Sequence, residues 1–147
     1  MKQRIKFGQF YKKKGLLSDM EQYKLLNGVT LAYIGDSYYE LTIRKYLLDK
    51  GLTKVDTLHK NATKYVSAVS QAKILKAIVN NFALTEEEHD IIKRGRNAKN
   101  HTKANVDTLT YRHATAFETL IGYLYLNQQK ERLQEIIDFA INVVESE

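Results

Sequence analysis

The chain has 147 residues, 44% of them hydrophobic, with no cysteine, no proline and a formal net charge of +6. That length suits one domain with a sizeable core, and the lack of cysteine excludes a disulfide framework and thiolate metal sites while fitting a reducing cytosol. No apolar run is long enough to span a membrane, and the basic start from Lys2 to Lys14 lacks the uninterrupted apolar stretch of a secretion signal.

Apolar residues recur at helical spacing with no proline to interrupt them, so the expected class is all-α, with about seven helices. Residues 1–17 read as a basic arm and residues 18–147 as the folded domain. Ser18 with Glu21 resembles a capping box that opens a short helix ending near Asn27-Gly28. A long helix follows from about Val29 to Leu48 and stops at Gly51. Thr53, with Asp56 three residues on, is the expected cap of a helix through about Tyr65. Ser67 should open the next, with Ala68, Ala72, Ile74, Leu75, Ile78 and Val79 as its apolar stripe. Thr85 and Glu88 form a further capping box. Thr110 is the expected cap of a strongly apolar helix to about Leu126, and a last helix spans about Gln129 to Val144.

Net positive charge alone does not define a partner, but its distribution narrows the choice. Two acid-free stretches carry it: Lys2 to Lys14, and the segment around Lys93, Arg94, Arg96, Lys99 and Lys103. Arginine forks match phosphate geometry, Asn97 and Asn100 add neutral donors, and Gly95 permits close backbone approach. His59, Lys60 and Lys64 supply a second candidate phosphate-facing edge. A solvated connector would have the same charge. Because most tyrosines fall within helices, stacking on single-stranded bases is poorly supported, and a duplex read by shape fits better.

Asp36 and Glu40 lie one helical turn apart inside Tyr33-Ile34-Gly35-Asp36-Ser37-Tyr38-Tyr39-Glu40, a run that otherwise reads as core. Like charges at that spacing oppose each other, and desolvation worsens the conflict. A hard divalent cation would relieve it, since such ions take oxygen ligands. The plainer readings are that Asp36 accepts a hydrogen bond from a tyrosine or a backbone amide, and that Glu40 pairs with Arg44. Glu118 is an isolated acid in an apolar helix, flanked by Ala114 and Gly122 at one turn either side, small residues that leave room for a partner helix. It is costly if buried without a partner, and unremarkable if it faces solvent.

Leu31-Ala32-Tyr33-Ile34-Gly35-Asp36-Ser37 resembles the signature helix of the ribonuclease III nuclease domain. The run from Ala116-Phe117-Glu118 to Tyr125-Leu126 resembles that domain's second catalytic helix. His59-Lys60-Asn61-Ala62, the segment Ser67 to Ala72, Lys93-Arg94-Gly95-Arg96-Asn97-Ala98-Lys99 and the segment Thr110 to Glu118 are similar to motifs of its compact bacterial branch, Mini-ribonuclease III. The similarity runs from about Asn27 to Arg132. It implies an all-helical homodimer in the cytoplasm that hydrolyses double-stranded RNA with magnesium, manganese being the other candidate ion. The substrate it implies is the precursor of large-subunit (23S) ribosomal RNA, trimmed at its ends.

By the same resemblance Asp36 and Glu118 are the catalytic metal ligands, with Glu40 a further candidate. His59, Lys60, Lys64, Lys93, Arg94, Arg96, Asn97, Lys99 and Lys103 are the expected RNA contacts. Ala32 and Thr115 stand where many larger relatives carry acids, so the expected metal shell is thinner. The alternative is a structured-RNA-binding protein of the same fold, without catalysis, acting in ribosome assembly.

Overall fold

A computed structural model describes residues 23–98 and 107–147. Among these residues it contains six helices and no strand: α1 (Gly28–Asp49), α2 (Val55–Val66), α3 (Ala68–Asn81), α4 (Glu86–Arg96), α5 (Thr108–Leu126) and α6 (Lys130–Glu145). Residues 23–25 are helical as well. The basic arm, Lys99, Asn100, Lys103 and the Ser18–Glu21 capping box lie outside the described residues.

Local chemistry accounts for the ends of most helices. Asn27 caps α1 by accepting from the Thr30 amide at 2.8 Å. The helix closes where Gly51 takes φ +96°, and the Leu52 amide reaches back to the Leu47 carbonyl at 3.2 Å. Ser67 ends α2 and caps α3, accepting from the Ser70 amide at 3.2 Å. The Thr85–Glu88 capping box of α4 forms in full.

Two expected caps are corrected. α2 starts after Lys54 with no side-chain cap, so Thr53 does not serve it. At α5 the cap is Asp107, whose carboxylate accepts from both the amide (2.9 Å) and the hydroxyl (2.7 Å) of Thr110. An ionised carboxylate is the stronger acceptor, and it draws Thr110 into the first turn.

α5 is the axis of the fold. From Ala114 to Leu124 it is buried on nearly every side, with α1, α3, α4 and α6 packed around it. Leu31, Tyr39, Ile43 and Leu47 of α1, Ile74, Leu75 and Ile78 of α3, and Leu133, Ile136 and Ile137 of α6 complete the core. Val79, expected in the α3 stripe, is 45% exposed. Tyr39 sets its ring edge-on to Phe117 and donates its hydroxyl to the Tyr65 carbonyl at 3.1 Å.

Polar pins hold the periphery. Arg132 on α6 grips both carboxylate oxygens of the buried Glu88 at 2.8 Å and also donates to the Ala83 carbonyl. Burial raises the Glu88 pKa, but the hydrogen bonds from Arg132 and Thr85 outweigh it and hold the carboxyl below its ordinary value. Near the end of α6, one oxygen of Glu145 accepts from Tyr46 (2.6 Å), Tyr65 (2.8 Å) and Lys50 (3.0 Å), which ties α6 to α1 and α2.

Candidate active site

The backbones of α1 and α5 touch where they cross. A methyl group at Gly35 would collide with the Glu118 carbonyl, and one at Gly122 would collide with the Leu31 carbonyl. Only glycine permits this approach. Asp36 follows Gly35 directly, and Glu118 precedes Gly122 by one turn, so the crossing that expels side chains at its centre sets the two carboxylates at its margin.

Thr119 reinforces the contact, its hydroxyl donating to the Thr115 carbonyl of its own helix (2.7 Å) and lying 3.0 Å from the Gly28 carbonyl.

Asp36 and Glu118 line one cleft of about 280 Å³. Val29, Ala32 and Tyr33 of α1 form its second wall with Asp36; Tyr111, Ala114 and Thr115 of α5 flank Glu118; and Val66, Ala68 and Gln71 close it from the corner between α2 and α3. Asp36 is exposed and Glu118 half-buried. The expectation that the Asp36 segment is core is therefore corrected: Tyr33 is 79% exposed, and the helix buries Leu31, Gly35 and Tyr39 while turning Asp36 to the cleft.

The chemistry of the cleft suits a hard divalent cation. Asp36 and Glu118 bring two carboxylates to one small space, and both offer the oxygen donors that such an ion takes. Thr115 adds a hydroxyl whose proton is committed to the Tyr111 carbonyl at 3.0 Å, leaving oxygen lone pairs. Among the described residues no group of three or more His, Asp and Glu side chains gathers in this cleft or elsewhere, so the cleft offers two carboxylates.

Of the other candidate residues, Glu40 is not brought to this cleft. It lines a separate groove of about 240 Å³ between α1 and α2, beside His59, and lies 3.7 Å from Arg44. Lys60 and Lys64 are exposed on α2; Lys93, Arg96 and Asn97 are exposed at the end of α4. Arg94 is half-buried, and its Nη1 donates to the Lys24 and Leu26 carbonyls and holds the segment before α1. His113 was not anticipated. Its Nδ1 is buried without a partner, and burial, followed by the nearby Lys76 and Arg96, holds the imidazole below its ordinary pKa.

Residues 29–129 match the Ribonuclease III domain model, a span that includes both carboxylates and both helices of the crossing. The chain belongs to the ribonuclease III family. Within it, the Mini-ribonuclease 3 of Enterococcus faecalis is 56% identical over 126 residues, covering 85% of this chain and 96% of that one. The Mini-ribonuclease 3 of Streptococcus pneumoniae is 47% identical, covering 82% of this chain and 95% of its own.

A crystal structure of a Fusobacterium nucleatum protein is 37% identical and superposes with a TM-score of 0.71, covering 80% of this chain and 93% of that one. The likeness extends over nearly the whole length of these relatives, so this chain is of the Mini-ribonuclease 3 branch. Among the described residues no helix is long and apolar enough to cross a membrane.

Proposed function

We propose that this protein is a magnesium-dependent endoribonuclease that cuts double-stranded RNA in the cytoplasm, with Asp36 and Glu118 as its catalytic residues and the ends of precursor large-subunit ribosomal RNA as its substrate. Membership of the ribonuclease III family makes the chain an endoribonuclease for double-stranded RNA, and enzymes of that family depend on divalent metal and typically form dimers. The observation that carries the residue assignment is the convergence of Asp36 and Glu118 on one cleft through the Gly35–Gly122 crossing. Two acids in a groove for a polyanion oppose substrate binding, which favours hydrolysis over mere RNA binding.

A bound divalent ion would supply an acidified water and offset the charge that grows on the phosphate during in-line displacement. Asp36 and Glu118 would hold the ion, with the rigid crossing fixing their spacing. The Thr115 hydroxyl offers a neutral acceptor for a water in the cleft. Ala32, Ala68 and Ala114 keep the space open to a phosphate. The exposed Lys60 and Lys64 of α2 and Lys93, Arg96 and Asn97 at the end of α4 align the duplex backbone, so binding weakens steeply with salt. A two-fold dimer presents one such cleft to each strand.

The test is cleavage of a labelled RNA duplex by Asp36→Asn and Glu118→Gln, with binding and thermal melting followed in parallel. Cleavage is expected to fall to background, as it should for the unaltered protein in chelator, while melting is retained. Undiminished cutting by either variant overturns its assignment. Faster trimming of a precursor ribosomal RNA end than of an unrelated duplex of equal length supports the substrate; equal rates overturn it.

A further inference from the structure

One wall of the cleft carries a polar group that the reaction above does not use. Gln71 is 2% exposed, yet it lines the space shared by Asp36 and Glu118. Its amide nitrogen donates to the Val66 carbonyl at 3.1 Å. That bond decides which end of the amide is which, because a carbonyl can be faced only by the donor. Oε1 accepts no hydrogen bond in the protein and is not among the fully enclosed side-chain atoms without a partner, so the little surface that Gln71 keeps includes it and opens to the cleft that Gln71 lines.

A carboxamide oxygen is an acceptor with nothing to donate; open only to the cleft, it is met by water there until a bound substrate displaces that water, and it is then costly to leave without a donor. It cannot bind phosphate oxygens, which are acceptors too. In a continuous A-form duplex the bases are stacked, and the donor closest to the backbone is the ribose 2′-hydroxyl, displayed along the wide shallow minor groove. A scissile phosphate bound in this cleft, beside an ion held by Asp36 and Glu118, would bring an adjacent sugar toward the corner between α2 and α3, which lines the same space.

We propose that Gln71 is a specificity-determining residue whose Oε1 accepts a hydrogen bond from a ribose 2′-hydroxyl beside the scissile phosphate. The proposal rests on the Asp36–Glu118 reading of the cleft. With deoxyribose at that position the bound duplex displaces water from Oε1 and offers no donor in its place, so the cleft selects RNA through one neutral contact made at the point of cleavage. The local structure favours the role: Ser67 caps α3 and the Gln71 nitrogen ties back to the end of α2, so the acceptor is held at both ends of the corner.

The experiment first maps the cut in an all-ribose duplex. It then measures kcat/KM on duplexes carrying 2′-deoxyribose or 2′-fluororibose at each nucleotide flanking that phosphate. The unaltered protein should lose about tenfold at one of these positions with either sugar, since neither donates a hydrogen bond. Gln71→Met, close in shape but without the amide, should lose about tenfold on the all-ribose duplex and be indifferent to the sugar.

Equal rates on all three sugars by the unaltered protein overturn the proposal whether or not the variant folds, and would direct attention to Gln71 as a holder of water. Full sugar discrimination by a folded Gln71→Met overturns it as well. The underlying reading fails separately: in that case Asp36→Asn cuts the all-ribose duplex at the normal rate, whatever the sugar ratio of the unaltered protein.

Discussion

Two regions of this molecule join distant helices by opposite means. At the α1–α5 crossing the contact is backbone on backbone, made possible by Gly35 and Gly122, which have no side chain to adjust. Around α6 the contacts are side-chain grips, Arg132 on Glu88 and three donors on Glu145, each reaching across a gap. The first leaves no slack and positions chemistry. The second tolerates change and positions only the fold.

The sharpest way to break that contrast is to add one methyl to the crossing. Gly122→Ala and Gly35→Ala should each cost about 3 kcal/mol or more in denaturant unfolding, because the obstacle is a carbonyl and not a rotatable side chain. Survivors should lose cleavage as well, since separating the helices separates Asp36 from Glu118. A folded, fully active Gly122→Ala would show that the crossing has slack.

The Arg132–Glu88 pin comes next. Arg132→Met leaves a buried carboxylate with its main partner removed, and should cost about 3 kcal/mol while sparing cleavage in the protein that remains folded. The pin also has a pH signature. The folded pKa of Glu88 lies below its ordinary value of 4.5, so its stabilisation is present above about pH 4.5 and is lost as pH falls through the folded value. His113 acts in the same direction at a higher pH. Its folded pKa lies below 6.5, so stability falls as pH drops below about 6.5 and the unfolded chain takes up the proton first. Thermal melts between pH 7 and pH 4 should show both losses, and Arg132→Met should flatten the lower one.

The smallest effect is expected at Glu145. The group is partly exposed, and Glu145→Gln keeps an acceptor, so the loss should be about 1 kcal/mol with no change in the cleavage rate. A drop in activity there would mean that α6 is coupled to the cleft.

Much of this was readable in the sequence where the signal is local. Ser67 and the Thr85–Glu88 box are pairs three residues apart that satisfy their own backbone, so no distant contact can overrule them. Thr110 misled because Asp107, three residues earlier, competes for the same amides with a stronger acceptor. Thr53 misled because a threonine near a helix start is a candidate whether or not the chain uses it. The approach of Asp36 and Glu118 was foreshadowed by small residues one turn from each acid. Gln71 could not be found that way: it reaches the cleft through the corner between α2 and α3, a tertiary event with no period, whereas Tyr111 lies two turns before Glu118 on the same helix. Arg94 looked like its basic neighbours, and only the segment before α1 shows what it holds.

The three-walled cleft divides labour in a way that matters for change over generations. Two walls are welded by the glycine pair, so a side chain added at Gly35 or Gly122 would disturb the proposed Asp36–Glu118 site. The corner from Val66 to Gln71 belongs to neither welded helix. On the proposed roles, substrate preference can drift at that corner, or be engineered there, while Asp36 and Glu118 keep their spacing.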